Sequence, residues 1–140
     1  MTPVHCITRH DPENGTHGDC LRAVIASLLD KQPGDVPHFM HDYPNEAELN
    51  LRLRQYLNSF GLTSWWMHMD GATPRDELLE YIAGINPDCH YLLFGTTASG
   101  AYHVVICRNA EIVHDPAWIT SPLVSPASTG HWTIVVIARQ

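Results

Sequence analysis

The chain has 140 residues, 44% of them hydrophobic and 16% charged. That is the make-up of one compact globular domain with a sizeable core, here residues 1–140, and it excludes collagen-like, low-complexity and largely disordered classes. Eight Lys and Arg face fifteen Asp and Glu, a formal charge of −7, so no basic surface offers itself to a phosphate backbone and nucleic acid is not an expected partner. The longest apolar stretches, around Ala23–Leu29 and Thr133–Ala138, fall far short of the roughly 20 residues that span a bilayer, so no membrane is expected either.

The N-terminus, MTPVHCITRHDPENG, has neither a basic segment leading into an apolar one nor a small-residue cleavage site, which predicts a cytoplasmic protein. In a reducing compartment Cys6, Cys20, Cys89 and Cys107 are expected as free thiols. Leu21, Val24, Ile25 and Leu28 recur at helical spacing behind Asp19, a good N-cap residue, and predict a first helix from Cys20 to Asp30. Residues Pro33–Pro44 read as a loop, in which Val36-Pro37-His38-Phe39 either covers a groove or is simply anchored by Phe39. Asn45 followed by Glu48 approximates a capping box for a second helix carrying Leu49, Leu53, Tyr56, Leu57 and Phe60 on one face and stopping at Gly61. The run Glu46, Glu48, Arg52, Arg54 is its solvated side. Leu62–Met69 predicts a strand, and Thr73-Pro74 an N-cap and first helical position for a short helix ending near Gly84.

Strands follow at Tyr91–Thr96, Tyr102–Cys107, Glu111–His114 and Trp132–Ala138, with a hairpin at Asn109-Ala110. Pro116–Gly130, dense in Pro, Ser and Thr, reads as a long surface loop. Helices first and antiparallel strands afterwards make an α+β fold of one domain.

A cysteine in the first turn of a helix has its thiolate stabilised by unpaired amides and the positive end of the dipole, and Cys20 stands there. A catalyst also needs a base and a group that orients it, for which His103 and Asp115 are the obvious pair, one on each arm of the hairpin. With Gly18-Asp19-Cys20 opening an apolar helix, Tyr102-His103-Val104-Val105 on a strand and Val113-His114-Asp115-Pro116 after it, the chain resembles the papain-like cysteine peptidase superfamily. The likeness is greatest to its short bacterial leader-peptidase branch and its compact phage and bacterial relatives.

That resemblance implies a nucleophile helix packed against an antiparallel sheet of four to six strands, with Cys20 as nucleophile, His103 as general base and Asp115 as the group holding the imidazole. It also implies a peptide, isopeptide or related amide substrate and no cofactor. Six residues before the nucleophile the family carries Gln, whose amide stabilises the oxyanion, whereas this chain has Asn14; His17 and the backbone amide of Cys20 are the other candidate donors.

The hairpin supplies an independent test. A regular two-residue turn at Asn109-Ala110 puts Asp115 on the sheet face opposite His103, so the triad requires an odd loop or a bulge at residues 108–110. On the regular register His114 instead shares a face with His103 and Cys107, a possible metal set. A second loose metal pattern joins His17 and Cys20 with His5, Cys6 and His10. Trp118, just after Asp115-Pro116, is a candidate to shield the imidazole or contact substrate, as is His114; Trp65, Trp66 and Trp132 are candidates for groove or core. The competing functions are acyl or aminoacyl transfer on the same triad, and a binding module that keeps the fold without turnover.

Overall fold

The computed structural model describes residues 1–8, 13, 18–42, 44–119 and 121–140. Among them are three α-helices, one 3-10 turn (Pro33–Asp35) and six strands: α1 (Cys20–Leu28), α2 (Glu46–Asn58), β1 (Leu62–Asp70), α3 (Arg75–Ile85), β2 (His90–Thr97), β3 (Tyr102–Arg108), β4 (Glu111–His114), β5 (Leu123–Ser125) and β6 (His131–Arg139). The strands form one antiparallel sheet in the order β1-β6-β2-β3-β4, with β5 pairing β2 alongside. The α+β class read from the sequence is the class observed. No helix among the described residues is long and apolar enough to cross a membrane.

Contacts divide the chain into two compact units. The first comprises Met1–Ser64, Pro116–Trp118 and Ile137–Gln140. In it α1 buries Leu21, Ala23, Val24, Ile25, Ala26 and Ser27, and it ends where Asp30 takes a left-handed φ of 56°. Asn45 caps α2 as expected, its side chain accepting from the Glu48 amide at 2.9 Å, and Leu49, Leu53 and Leu57 line the buried stripe. Phe60 departs from the expected face: the helix ends at Asn58, leaving Phe60 46% exposed against Tyr56 and beneath the Lys31 ammonium. Gly61, at φ +72°, makes the turn that only glycine adopts without strain. Val36 and Phe39 are buried, so the segment between α1 and α2 is held down by its own apolar side chains.

The second unit comprises Trp65–Asp115 and Ile119–Val136. Alternation along its strands sends Tyr91, Leu93, Val105, Cys107, Trp132 and Ile134 to one face, where they pack with Leu78, Leu79 and Ile82 of α3 and with Leu123. The opposite face carries Leu92, Phe94, Val104 and Ile106, also buried, with Phe94 stacked between Trp66 and Tyr102. Helix α3 starts one residue later than the sequence suggests: Pro74 holds the cap position without a side-chain cap, and the Thr73 carbonyl accepts from the Trp132 indole at 3.0 Å.

The expected loop at 116–130 contains β5. Leu123–Ser125 pairs with Thr96 and Thr97 of β2, and the Arg75 guanidinium donates to the Leu123 carbonyl at 2.9 Å. A three-residue strand flanked by prolines has no periodicity to read; the open end of β2 selects it.

Candidate functional site

The second unit carries two of the expected site residues, His103 and Asp115. His103 lies near the start of β3 on the same face as Val105 and Cys107, opposite Gly95 of β2. The pairing of β3 with β4 then decides where Asp115 points. Arg108 pairs with Glu111 and Cys107 with Ile112, the register of a two-residue turn at Asn109-Ala110. That turn is clamped: Asn109 takes φ 52°, its side chain accepts from the Asp88 amide at 2.8 Å, and its carbonyl accepts from the Tyr91 hydroxyl at 2.7 Å. Beyond it the register shifts, so that Ile106 faces His114 and Val113 is the extra residue of a bulge.

The bulge restores the parity that the turn alone forbids. Ile112 joins the α3-side core, His114 goes to the opposite face beside Ile106, and Asp115 returns to the face of His103. His103 Nε2 and Asp115 Oδ1 are 2.7 Å apart, with side chains only 11% and 18% exposed. The irregularity demanded by the sequence argument is therefore present, but it sits at Ile112–His114 and not at residues 108–110.

A short hydrogen bond from an imidazole to a carboxylate, shielded from water, does two things. It fixes the ring plane, and it puts a proton on Nε2, so that exchange with any nucleophile runs through Nδ1. Gly95 fits the same corner: directly across from His103 on the shared face, it leaves room for the Trp132 ring, which a Cβ on Gly95 would meet at 2.6 Å.

His114 does not join this pair. It is 8% exposed on the other face, which also separates it from Cys107 and dissolves the His103, His114 and Cys107 metal set. Cys107 is fully buried, and burial pushes its thiol up to about 12, the opposite of what a nucleophile or metal ligand requires.

The first unit carries the candidate nucleophile. Cys20 is the first residue of α1 and partly exposed. Asp19 stands at the N-cap position as expected, yet its side chain makes no cap. Its fully buried carboxylate turns back to accept from the Ile7 amide at 3.2 Å, the Thr8 amide at 3.0 Å and Arg22 Nε at 2.9 Å. Arg22 reaches on to the Thr8 hydroxyl at 3.1 Å. Farther along the same segment the Val4 amide donates to the Ser27 hydroxyl and the Thr2 amide to the Ser27 carbonyl. Residues 2–8 thus form a strap along α1, fastened next to Cys20 by a buried ion pair.

Trp118 belongs to the same strap. Its indole NH donates to the Cys6 carbonyl at 2.6 Å, the Cys6 amide donates to the Pro116 carbonyl, and the ring stacks on His5 at 4.3 Å. It remains 75% exposed, a flat apolar surface held in one orientation. Of the other tryptophans, Trp132 is core and Trp65 is 65% exposed.

Asn14 and His17, the candidate oxyanion donors, lie outside the described residues, as does His10. The four cysteines form no disulfide. Sequence reasoning missed the Asp19 clasp. Its signal was the Asp19–Arg22 spacing, which places a carboxylate and a guanidinium one helical turn apart but does not reveal the N-terminal strap as a third party. No family model, curated protein or solved structure matches the chain.

Proposed function

We propose that this protein is a thiol-dependent amide hydrolase of papain-like type, with Cys20 as nucleophile, His103 as general base and acid, and Asp115 as the residue that orients the imidazole. The observation that carries the reading is the His103–Asp115 hydrogen bond at 2.7 Å, formed because a bulge in β4 overrides the parity of its turn. A largely buried imidazole–carboxylate hydrogen bond at a strand end is costly to assemble, and base orientation is the use that fits it.

In the proposed reaction Cys20 Sγ, having given its proton to His103 Nδ1, attacks the carbonyl carbon of a peptide, isopeptide or related amide. The C–N bond breaks as the imidazolium returns that proton to the departing amine, which leaves an acyl thioester on Cys20. Water, deprotonated by the same nitrogen, adds to the thioester; the C–S bond breaks, releasing a carboxylic acid and regenerating the thiol. Asp115 stays ionised throughout and stabilises the imidazolium. No cofactor enters the cycle. Four reduced cysteines fit a reducing compartment, the cytoplasmic setting expected from the sequence.

The test is alkylation with limiting iodoacetamide, read site by site by peptide mass spectrometry, on the parent, His103→Ala and Asp115→Ala. Exposure alone favours Cys89, which is exposed, over Cys20, which is only partly so. The proposal expects Cys20 to label first in the parent and to lose that lead in His103→Ala. Labelling of Cys20 no faster than Cys89, or a rate indifferent to His103, overturns it.

A further inference from the structure

Away from the proposed hydrolytic residues, the sheet edge holds two imidazoles in unusual proximity. His68 lies on β1, the outermost strand, and His131 opens the neighbouring β6. Their ring centroids are 4.1 Å apart at 56°, and one ring nitrogen of each lies within 4.8 Å of the other's. Each ring also has a threonine hydroxyl at one nitrogen: Thr133 Oγ1 is 3.2 Å from His68 Nδ1, and Thr129 Oγ1 is 3.3 Å from His131 Nε2.

We propose that His68 and His131 form a chelating site for a borderline divalent transition-metal ion, of which zinc is the simplest representative. Imidazole nitrogen is the preferred donor for such ions, at about 2.0–2.1 Å, so two ligands of one ion stand roughly 3.4 Å apart. Closing from 4.8 Å takes less than about 1 Å of movement per ring, available to side chains on an edge strand. The two threonines supply the outer shell that metal-binding histidines commonly have. A threonine hydroxyl beside one nitrogen of each ring, Thr133 for His68 and Thr129 for His131, restricts how that ring can turn. Water completes the coordination. The chain's charge of −7 favours the approach of a cation.

The experiment is zinc titration of the chelator-treated full chain by calorimetry, with imidazole NMR resonances followed in parallel. The proposal expects saturable binding of one ion with the His68 and His131 resonances moving together, and loss of binding as acid competes for the same nitrogens. His68→Ala, an exposed strand position, should weaken binding by more than about tenfold. Thr133→Val, isosteric and buried, should weaken it by about tenfold while leaving the stoichiometry at one. Absence of saturable binding in the parent overturns the site. So does zinc that binds His68→Ala as tightly as the parent, since the ion then rests on the cysteines or other histidines.

Discussion

Gly95→Ala adds one methyl group at the corner where three strands support His103. The new Cβ would stand 2.6 Å from Trp132 Cζ3 and 2.8 Å from the Ser125 carbonyl oxygen, about 1 Å inside ordinary contact on both sides. Neither neighbour yields cheaply. Trp132 is 1% exposed and its indole NH is tied to the Thr73 carbonyl at 3.0 Å, while Ser125 is held in the β5–β2 pairing. Overpacking of this kind costs about 1–3 kcal/mol, and a displaced indole that loses its buried hydrogen bond adds about 1–3 kcal/mol. The expected loss is about 3 kcal/mol, or more than a hundredfold in the folding constant. Urea unfolding followed by far-UV circular dichroism and tryptophan fluorescence reads it directly: at a slope of about 2 kcal/mol per molar, the midpoint falls by about 1.5 M. Gly84→Ala is the control. Nothing lies within 4 Å of its Cβ and its backbone is helical, so it should gain about 0.5–1 kcal/mol. A Gly95→Ala protein within about 0.5 kcal/mol of the parent would refute the packing of Trp132 over this corner and with it the support assigned to His103.

Deleting Val113 removes the extra residue and leaves a regular ladder in which His114 still faces Ile106 and Asp115 keeps the face of His103, so the downfield imidazole NH proton of the Asp115-bonded ring should persist in the NMR spectrum; its disappearance would show that Val113 is not the residue the bulge adds. Asp19→Asn leaves the partly buried Arg22 without its counter-charge and takes an acceptor from the strap, so stability should fall by about 2–3 kcal/mol and the Ile7 and Thr8 amides should lose hydrogen-exchange protection; unchanged protection counts against the clasp. Burial raises the Cys107 thiol from 9.0 to about 12, so the folded chain holds that proton more tightly than the unfolded one. Its contribution is complete below pH 9 and is lost as pH rises toward about 12, with the folding constant dropping about tenfold per pH unit once the unfolded thiol ionises. Tyr91, whose hydroxyl is also raised by burial, adds to the slope above pH 10. Cys107→Ala should flatten stability between pH 9 and 10, and a slope equal to the parent's would contradict the assignment.

Strong local signals were legible in the sequence. The Asn45–Glu48 cap, the Leu49, Leu53 and Leu57 stripe, the Gly61 stop and the four main strands of the second half are each dictated by residues within a few positions of one another. What escaped depends on distant partners. Asp19 is as good an N-cap as Asn45 by residue type, yet the Ile7 and Thr8 amides and Arg22 outbid the helix for its carboxylate. Phe60 fits the apolar spacing of α2, but the helix has already ended. Strand β5 exists only because β2 extends beyond the end of its pairing with β6 and leaves Thr96 and Thr97 to be matched.

The β3–β4 hairpin joins the two kinds of information. From the sequence alone, Asn109 demands a tight turn and the two chemical residues demand a shared face, and a regular ladder cannot satisfy both. The conflict implies that a residue must be added to one strand but leaves its position open, because any insertion between the turn and the pair serves equally. Side-chain burial selects among the positions. With Val113 as the extra residue, Ile112 packs under α3, His114 is buried on the far face, and the unmatched side chain, 39% exposed, is the one that loses least by facing solvent. An insertion at residues 108–110 would have broken the turn that Asp88 and Tyr91 clamp through Asn109. The bulge therefore sits where it disturbs neither the turn nor the core, and the dyad geometry follows from that compromise.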